Sequence, residues 1–484
     1  MRTNPNPTRL TAAAVLGTGL SAGLLYFGTG LDPIPWLTWI APLPVLLLAP
    51  RVSAFGAAVA ALTAWTAGGL GMWSLYRDRL ELPLPLALLN LLTPALVAAV
   101  AVLTFRALLR RALPALAAVA VPAIWVSAEY LVAVLTPNGA IWTLAATQAD
   151  LVPVLQIAAI TGAWGVSFLV AGLPAALAAA VSPWPPGTAG SRWVGAGAVV
   201  VVILAAGAGA VRLSLAAPHG PALTVAMIAS RQQDDWAPID TPRGRERLGE
   251  VVTRVRALPP GTGAVVLPEG GFVTTSARLP LITAPLAALA RERGLDIVAG
   301  VIVTDANYNA AMFFPASGGA PAVYRKQHMV PGVEPYTPGD RLLVLPGVGV
   351  AICKDLDFPE LARQYRSRGA ELMLLPAWDF DVDGRQHARV ALMRGVENGM
   401  WLVRGAADGE LTVSDPYGRV VAAASTTGHA PTTLTATIRT GGADTFYTRA
   451  GDWFAWLCVA AAVLALAVAG RRPRGERRGR GVTR

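Results

Sequence analysis

Charged side chains are distributed very unevenly along this chain of 484 residues, and that distribution limits its possible folds more than any other feature. Residues 1–215 contain only 15 of the 70 charged residues, and the remaining 55 lie in the 269 residues that follow. An ordinary soluble domain has about 25% charged residues, so the first 215 residues are too apolar to be soluble. We therefore expect them to lie in a lipid bilayer and most of the remaining chain to lie in water.

Eight apolar runs are long enough to cross the hydrocarbon core, which takes about 20 residues of helix. Seven of them form a predicted membrane domain at 1–215, and the eighth is a last transmembrane helix at 453–470. The first run follows Arg2 and Arg9, but since six more runs come after it, we interpret it as an uncleaved signal-anchor. The predicted spans are 10–28, 34–50, 53–75, 82–105, 112–135, 151–181, 193–214 and 453–470.

The arginines predict an orientation, because cytoplasmic loops are enriched in basic residues. With the N-terminus in the cytoplasm, residues 216–452 lie outside and the tail 471–484, with seven arginines and one glutamate, lies inside. The tail supplies +6 of the net charge of +10, so the basic excess indicates topology and we expect no nucleic-acid partner. Five further arginines fit this orientation, namely Arg51, Arg106, Arg110, Arg111 and Arg192. Three do not fit it, namely Arg77, Arg79 and Arg212.

The region 220–442 has a different pattern, in which short apolar runs alternate with stretches of helical periodicity. Such alternation predicts an α/β domain. The predicted strands lie near 223–229, 263–269, 295–303, 310–316, 348–355, 371–378 and 401–407, with a hairpin around 415–418. The predicted helices lie near 241–257, 281–293, 359–369 and 385–399.

The few lysines and cysteines of the chain indicate a candidate site. Lys326 and Lys354 are the only lysines among 40 basic residues, and Lys354 adjoins Cys353. A lysine offers a compact ammonium that arginine cannot replace, and a cysteine nucleophile needs a base or a nearby positive charge. Glu269, after a strand and a proline, provides such a base in a Glu269–Lys326–Cys353 trio. The alternative is a pair of Cys353 with His328 or His387.

Other polar residues give weaker signals. No histidine has metal-ligand spacing with a cysteine, so we expect no metal and no cofactor. Cys458, in the last span, is interpreted as an inert apolar residue. Glu129 lies inside the fifth span, where a carboxylate is costly. It is either a functional group or a partner in a helix-packing hydrogen bond.

Three sequence blocks resemble the nitrilase, or carbon-nitrogen hydrolase, superfamily. They are LPEG with Glu269, YRKQHMVPGVEPYTPGD with Lys326 and AICKDLDFPE with Cys353, in the superfamily's order of Glu, Lys and Cys. ANYNAA (306–311) lies between the first two blocks. The resemblance implies a catalytic triad of these three residues and an α-β-β-α sandwich fold.

The membrane spans extend the resemblance to the apolipoprotein N-acyltransferase family of that superfamily. WLTWIAPLPVLLL, PAIWVSAEYL, LQIAAITGAWGVSFLV and ALMRGVENGMWLVRGAADG are similar to its sequences. The resemblance implies an enzyme of the bacterial inner membrane with an extracytoplasmic catalytic domain. It would transfer an acyl chain from a phospholipid, through a cysteine thioester, to the diacylglyceryl-cysteine amine of an apolipoprotein.

The resemblance also assigns auxiliary residues. Glu334 matches a glutamate that is important in the family, and it positions Lys326 or forms a surface ion pair. Lys354 either lowers the thiol pKa or faces solvent. Tyr324 and Trp378 either line an acyl pocket or pack in the core.

Three stretches depart from the acyltransferase pattern. Lys354 and Asp355 replace an aromatic residue and a glutamate, so that CKDLDFPELARQYRSRGAELMLLPAW is closer to soluble amidases. PAWDFD replaces Asn-Asp-Ala-Trp-Phe-Gly, and Asp408 precedes Gly409 where Asn or Thr is usual. The alternative function is therefore a membrane-anchored amidase that hydrolyses a C–N bond, and a further alternative is an inactive membrane scaffold.

Overall fold

The computed structural model describes residues 7–182, 189–217, 219–229, 237–428 and 431–471. The predicted basic tail therefore lies outside the described residues from position 472 onward. The helices are α1 (Pro7–Gly28), α2 (Pro35–Thr38), α3 (Leu43–Leu48), α4 (Ala54–Gly68), α5 (Leu84–Arg110), α6 (Pro114–Leu135), α7 (Val152–Leu155), α8 (Ala158–Thr161), α9 (Ala163–Ala180), α10 (Ala189–Leu215), α11 (Pro242–Arg256), α12 (Pro280–Arg293), α13 (Pro359–Ser367), α14 (Gly384–Asn398), α15 (Phe446–Ala450) and α16 (Trp453–Gly470).

Seven helices within the described ranges are long and apolar enough to cross a membrane. Six of them precede the α/β region and α16 follows it. The protein is therefore a membrane protein with several apolar helices. The seven helices are α1, α4, α5, α6, α9, α10 and α16.

The predicted span 34–50 is not one helix. Its apolar residues form the short helices α2 and α3, and residues 39–42 between them form turns. Prolines cause this break, because a proline cannot donate a backbone hydrogen bond within a helix, and Pro42 and Pro44 both lie at the start of α3. At a rise of about 1.5 Å per residue, 14 residues reach about 21 Å, less than the hydrocarbon thickness of about 30 Å.

The predicted span 151–181 is also divided. Gly162, with φ at +68°, separates α8 from α9, and only α9 has the length and hydropathy of a span. Helices α7 and α8 instead contact the α/β domain, where Leu155 and Ala158 pack with Leu392 and Val396 of α14. The apolar run is therefore part span and part interface between the two domains.

Contacts along the first helices show that successive segments run in opposite directions. Gly28 lies against Leu37 and Gly17 against Pro44, so the broken α2–α3 segment returns along α1. Gly68 at the end of α4 lies against Leu25 near the end of α1. The segment α2–α3 therefore returns along part of α1, and α4 runs again in the direction of α1.

The later helices continue this alternation. At one end of the layer, the Tyr130 and Trp164 rings of α6 and α9 lie 5.5 Å apart. At the other end, Arg106 Nη2 donates to the Val52 carbonyl at 2.9 Å, and Arg111 donates to the Arg471 carbonyl. Arg106, Arg111 and Arg471 thus lie at the end of the helix layer that is opposite to the α/β domain.

Two of the three arginines that do not fit the predicted orientation contact the α/β domain. Arg79 Nη2 lies 3.0 Å from Asp381 Oδ2, and the Arg212 guanidinium lies 4.8 Å from the centre of the Tyr417 ring. Arg77 donates to the Leu82 carbonyl near its own helix. Arg79 and Arg212 therefore have partners in the other domain that account for their positions.

Thirteen strands in the described ranges form two sheets. The first has the order β13-β1-β2-β4-β5-β6 with β3 paired to β4, and the second has the order β12-β11-β10-β9-β8-β7. The strands are β1 (Ala222–Ala229), β2 (Thr262–Val266), β3 (Phe272–Thr274), β4 (Asp296–Val303), β5 (Tyr308–Phe314), β6 (Ala322–Arg325), β7 (Leu343–Leu345), β8 (Val348–Val350), β9 (Leu372–Trp378), β10 (Trp401–Ala407), β11 (Glu410–Ser414), β12 (Val420–Ser425) and β13 (Thr432–Arg439).

The sheets pack face to face, and helices cover their outer faces. Alternate residues of a strand point to opposite faces. Accordingly, Val225 and Met227 join the core between the sheets, whereas Ala226 and Ile228 pack on the side of α11 and α12. Helix α13 packs against the second sheet through Tyr365, which lies in one cluster with Val350 of β8 and Leu374 of β9. These layers form an α-β-β-α sandwich, which confirms the predicted fold class.

Candidate active site

The three residues of the predicted trio follow three different strands at one end of the sandwich. Glu269 follows β2, Lys326 follows β6 directly, and Cys353 follows β8. Strands β8, β9 and β10 are parallel, so their carboxyl ends share one edge. The two sheets meet here, because the Glu269 backbone N–H donates to the Ala377 carbonyl at 3.2 Å.

Lys326 is the centre of a buried ion cluster. Its Nζ lies 2.7 Å from Glu269 Oε1 and 2.7 Å from Glu334 Oε2, and 1% of the lysine side chain is exposed. The two carboxylates raise the pKa of Lys326 although burial opposes its charge. Lys326 therefore carries a fixed positive charge, and Glu334 contacts it directly rather than forming a surface pair.

Asn309 belongs to the same cluster and was not among the predicted site residues. Its Nδ2 donates to Glu269 Oε1 at 2.7 Å and to Glu334 Oε1 at 3.0 Å. The ANYNAA stretch contains Asn309 and was the only sequence signal for it. Glu269 Oε1 thus has two donors, whereas Glu269 Oε2 is buried without a hydrogen-bond partner in the described structure.

Cys353 begins a short helical turn, residues 353–357, that interrupts the predicted strand 348–355 after Val350. Its φ is +40°, a conformation that a non-glycine residue seldom adopts. Its Sγ lies 3.4 Å from the Trp378 carbonyl oxygen. Burial and the charge of Glu269 raise the pKa of the Cys353 thiol, while Lys326 opposes this effect. The resting thiol is therefore protonated and needs a base.

Glu269 is suited to be that base at neutral pH. Burial raises the pKa of Glu269 to about 7, and the Lys326 charge opposes a larger increase. A base whose pKa lies near the working pH is the most effective in proton transfer. The partnerless Oε2 leaves one carboxylate oxygen available to accept a proton.

The two candidate histidines have other partners. Burial opposes a charge on His387, but Asp383 Oδ2, at 3.3 Å from its Nε2, outweighs burial and raises the pKa of His387 to about 9. His387 is therefore an imidazolium at neutral pH and has no lone pair to accept the thiol proton. His328 Nδ1 lies 3.1 Å from Asp355 Oδ1, and its ring stacks on Phe358. These contacts favour Glu269 over the cysteine–histidine pair.

Asp355 connects the lysine strand to the cysteine turn. Its Oδ2 accepts hydrogen bonds from Tyr324 Oη at 2.8 Å and from the Ile352 backbone N–H at 3.1 Å. Its Oδ1 accepts from the backbone N–H groups of Gln327 and His328. Tyr324 is 1% exposed and belongs to the core between the sheets. The structure therefore places Tyr324 in core packing and not in a pocket.

A buried aspartate and arginine lie close to the thiol. Both Asp379 oxygens accept hydrogen bonds from the Arg404 guanidinium, one of them at 2.9 Å. Gly409 packs directly on Asp379, so a side chain there would displace the carboxylate. Sequence analysis missed this pair, because only the pairing of β9 and β10 brings the two residues together.

Ligand atoms of Cys353, Asp379 and His387 lie within 4.8 Å of one another, a grouping that a metal ion requires. A cation at this place would compete with the Arg404 guanidinium for Asp379 and with Asp383 for His387. A divalent ion would also lie next to two positive charges. The donor set therefore does not fit a resident metal.

The remaining predicted residues lie apart from the ion cluster. Trp378 is half-buried, and its carbonyl oxygen faces the thiol. Lys354 is buried rather than solvent-facing, with its Nζ 3.1 Å from Asp357 Oδ2. Glu129 Oε1 accepts hydrogen bonds from Trp125 Nε1 at 2.8 Å and from the Leu144 N–H at 2.7 Å. Glu129 thus has the packing role that was one of its two interpretations.

An apolar cavity in the membrane domain lies below this end of the sandwich. Its empty space, including its open mouth, is about 1170 Å³. Helices α4, α5 and α6 line it with Trp65, Pro94 and Trp125, and Trp142 lines it from the segment after α6. Gln386 of α14 also lines it, and the next residue, His387, lies within 4.8 Å of the thiol. The cavity therefore extends from the apolar helices to α14 of the α/β domain, the helix that also carries His387.

Comparisons with known proteins agree with both halves of this architecture. The profile of the apolipoprotein N-acyltransferase N-terminal domain matches residues 21–176, and that of the carbon-nitrogen hydrolase family matches residues 225–446. An apolipoprotein N-acyltransferase of Geobacter metallireducens is 28% identical over 72% of this chain and 74% of its own length. Both parts of the chain are thus similar to proteins of the apolipoprotein N-acyltransferase family.

Other relatives match smaller parts of the chain. An apolipoprotein N-acyltransferase of Gloeobacter violaceus is 28% identical over 54% of the chain and 55% of its own length. An (R)-stereoselective amidase of a Pseudomonas species is 28% identical over 36% of the chain and 73% of its own length. The crystal structure of Saccharomyces cerevisiae Nit3, of the nitrilase superfamily, covers 47% of this chain and 93% of its own at 23% identity, with a TM-score of 0.39.

Proposed function

We propose that this protein transfers a fatty acyl chain from a membrane phospholipid to the N-terminal diacylglyceryl-cysteine amine of lipoproteins. Cys353 would carry the acyl group as a thioester between the two substrates. The family supports lipoprotein N-acylation, and the cavity supports a lipid donor. The protein's partners would thus be the membrane, a phospholipid and a diacylated apolipoprotein.

One observation supports the proposal above all others. The apolar cavity of the membrane domain is lined by Gln386 of α14, and the next residue of that helix, His387, lies within 4.8 Å of the Cys353 thiol. A hydrolase for water-soluble amides has no use for a cavity enclosed by membrane helices. A phospholipid donor needs an apolar space for its chain next to the group that attacks its ester.

The first half-reaction forms the thioester. Glu269 Oε2 accepts the Cys353 thiol proton, and Sγ attacks the carbonyl carbon of the phospholipid ester. The Lys326 ammonium and the backbone N–H of Lys354 stabilise the resulting oxyanion. The carbon–oxygen bond of the ester then breaks, and Glu269 returns its proton to the glycerol oxygen. A lysophospholipid leaves, and the acyl group remains on Sγ.

The second half-reaction forms the amide. The neutral α-amine of the diacylglyceryl-cysteine attacks the thioester carbonyl carbon, and Glu269 takes one proton from that nitrogen. The carbon–sulfur bond breaks, and Glu269 returns the proton to Sγ. Glu334 and Asn309 act as positioning residues in both halves, because they hold Lys326 and Glu269 in place.

We further propose that the catalytic domain lies outside the cytoplasmic membrane of a bacterium. The end of the helix layer that carries Arg106, Arg111 and Arg471 would face the cytoplasm, as basic loops do. Residues 1–215 and 453–470 would then form the membrane domain, residues 220–442 the extracytoplasmic domain, and residues 471–484 the cytoplasmic tail.

A transfer assay tests the proposed function. Purified protein is incubated with a phospholipid labelled in its acyl chain and with a diacylated lipopeptide, and label on the peptide is measured. We expect transfer by the wild type and by Cys458→Ala, the control at the other cysteine. Cys353→Ala is expected to abolish transfer. Absence of transfer by the wild type would refute the proposal.

The alternative function is hydrolysis of a C–N bond by a membrane-anchored amidase. The Cys353-Lys354-Asp355 stretch and the similarity to the (R)-stereoselective amidase favour it. In the same assay, an amidase would leave the lipopeptide unlabelled and would release ammonia from small amides. The two functions therefore give opposite results.

A further inference from the structure

The residue after the nucleophile connects the catalytic turn to the membrane domain. Lys354 Nζ lies 3.1 Å from Asp357 Oδ2 and 3.4 Å from the backbone carbonyl oxygen of Asn138. Only 8% of the lysine side chain and 3% of the Asp357 side chain are exposed. Asn138 belongs to the segment 138–144, which follows α6 in the membrane domain. The ion pair is therefore buried at the junction of the two domains.

Main-chain contacts fix the same junction. The Ala140 backbone N–H donates to the Asp357 carbonyl oxygen at 2.7 Å. Gly139 has φ at +65°, and a Cβ atom there would lie 2.6 Å from the Asp357 carbonyl oxygen. Only glycine accommodates both this backbone conformation and this close approach. The nucleophile turn and the segment 138–144 thus contact each other through side chain and main chain.

The other end of the segment 138–144 is held inside the membrane domain. Glu129 Oε1 accepts hydrogen bonds from the Leu144 N–H and from Trp125 Nε1. Trp142 lies between the two attachment points, and Trp142 and Leu144 both line the apolar cavity. A wall of the cavity is therefore attached at one end to α6 and at the other to the turn that begins with Cys353.

We propose that Lys354 is a positioning residue, which with Asp357 and Gly139 fastens the segment 138–144 to the nucleophile turn. This attachment aligns an acyl ester in the cavity with Cys353 Sγ, and the inference rests on the proposed function. Lysine suits the position because its compact ammonium reaches a carboxylate and a backbone carbonyl together. The chain has 38 arginines and only two lysines, and the two contacts of the Lys354 ammonium explain why one of these lysines is at position 354.

The test compares two acyl donors and two variants. Lys354→Met removes the ammonium, and Gly139→Ala disturbs the junction from the opposite side without a change in charge. Acylation of Cys353 is measured with a phospholipid in detergent micelles and with water-soluble p-nitrophenyl acetate. Because small misplacements of reacting groups are costly, we expect both variants to slow acylation by phospholipid by about 10–100-fold. Acylation by p-nitrophenyl acetate, which needs no cavity, should remain at the wild-type rate in Gly139→Ala, and in Lys354→Met it should fall less than acylation by phospholipid.

Arg385→Gln is the matched control. Arg385 Nη1 lies 2.7 Å from Asp32 Oδ1, so this pair also joins the two domains, but it is exposed and does not contact the nucleophile turn. We expect both acylation rates of this variant to equal those of the wild type. Equal loss with both donors in Lys354→Met would overturn the inference, since Lys354 would then act on the thiol itself. Unchanged acylation by phospholipid in both variants would overturn it as well.

A second measurement separates this inference from the proposed function. Hydrogen exchange of the backbone amides in the segment 138–144 does not depend on any donor. We expect faster exchange in Lys354→Met and Gly139→Ala than in the wild type and in Arg385→Gln. If the wild type accepts no acyl group from phospholipid, the proposed function fails. If hydrogen exchange in the segment 138–144 is the same in the two variants as in the wild type, Lys354 and Gly139 do not hold that segment and the inference fails.

Discussion

At the scale of single residues, the chemistry depends on how two carboxylates surround one ammonium. Glu269 and Glu334 both contact Lys326, and Asn309 donates to both carboxylates. Only Glu269 Oε2 lacks a hydrogen-bond partner among the oxygens of these two carboxylates. This oxygen is the one we assign to the thiol proton.

The pH dependence of acylation tests that assignment. Since burial raises the pKa of Glu269 to about 7, we expect the rate of Cys353 acylation to fall as the pH decreases below 7. Protonated Glu269 cannot accept the thiol proton. Rates of single-turnover acylation between pH 5.5 and 8.5 measure the effect.

Glu269→Gln is the matched variant for this profile. We expect its rate to be about 10²–10⁴-fold lower, as is usual for the loss of a general base, and to lose the decrease below pH 7. A variant that keeps this decrease would show that another group is the base.

A second residue-scale prediction concerns His387. Its pKa is raised to about 9 in the folded protein from an ordinary value of 6.5. The protonated form therefore stabilises the fold below pH 6.5, and the stabilisation is lost as the pH rises through 9. We expect wild-type protein in detergent to melt several degrees above His387→Gln at pH 6. The difference should vanish by pH 10, and a constant difference would contradict the pairing with Asp383.

At the scale of elements, the ends of strands β6 and β8 must keep their mutual position. Asp355 provides this link, because its two oxygens accept hydrogen bonds from both sides of the site. In Asp355→Asn, an NH₂ group replaces one acceptor oxygen and faces N–H or O–H donors. Buried donors left without a partner cost about 1–3 kcal/mol each.

We therefore expect Asp355→Asn to lower the rate of Cys353 acylation by about 10–100-fold through misplacement of Lys326. Asp305→Asn is the control, because Asp305 also accepts backbone hydrogen bonds, from Ser276 and Ala306, but lies on an exposed loop. Wild-type acylation by Asp355→Asn would contradict the proposed link. Thermal melting of both variants shows whether they remain folded.

The elements also show what sequence patterns can predict and why they stop there. Periodicity predicted the central strands and all four helices of the sandwich, because burial on one or two faces leaves a pattern of apolar residues. It missed β3, β6 and β7, since strands of three or four residues have no measurable period. Strand β13 was missed as well, although its eight residues alternate between exposed and partly buried positions.

The candidate site was predicted in part for a related reason. Glu269, Lys326, Cys353 and Glu334 lie within contiguous motifs, and the structure brings the first two and Glu334 into direct contact. The pair of Asp379 and Arg404 depends on strand pairing over 25 positions, which leaves no local pattern. The breaks in the predicted spans 34–50 and 151–181 follow from Pro42, Pro44 and Gly162. These residues are visible in the sequence, but the spans were predicted from apolar content, which does not show where a helix breaks.

At the scale of the whole molecule, the proposed orientation requires the helix ends that carry Arg51, Arg106 and Arg111 to lie on the cytoplasmic side of the membrane. Labelling of single cysteines tests this in a Cys353→Ala/Cys458→Ala background. A maleimide that cannot cross membranes should label Thr427→Cys in intact cells, because Thr427 is exposed in the α/β domain. Ser53→Cys, near Arg51, should react only after lysis. Labelling of both positions in intact cells would contradict the orientation.

The whole molecule also explains why a nitrilase-like domain is joined to a membrane layer. Under the proposed function, the cavity among α4, α5 and α6 holds the acyl chain of the donor, and α14 of the catalytic domain closes one of its walls with Gln386. In the proposed mechanism, a thioester on Cys353 is the intermediate that joins the donor in the membrane to the acceptor amine. Its formation is therefore the central claim of the account.

Mass spectrometry of the purified protein tests that claim most directly. After incubation with a phospholipid that carries only palmitoyl chains, we predict one palmitoyl group on the peptide that contains Cys353. The adduct should disappear on addition of a diacylated lipopeptide and should be absent from Cys353→Ala. An unmodified Cys353 in the wild type, or an adduct that persists in Cys353→Ala, would contradict the account.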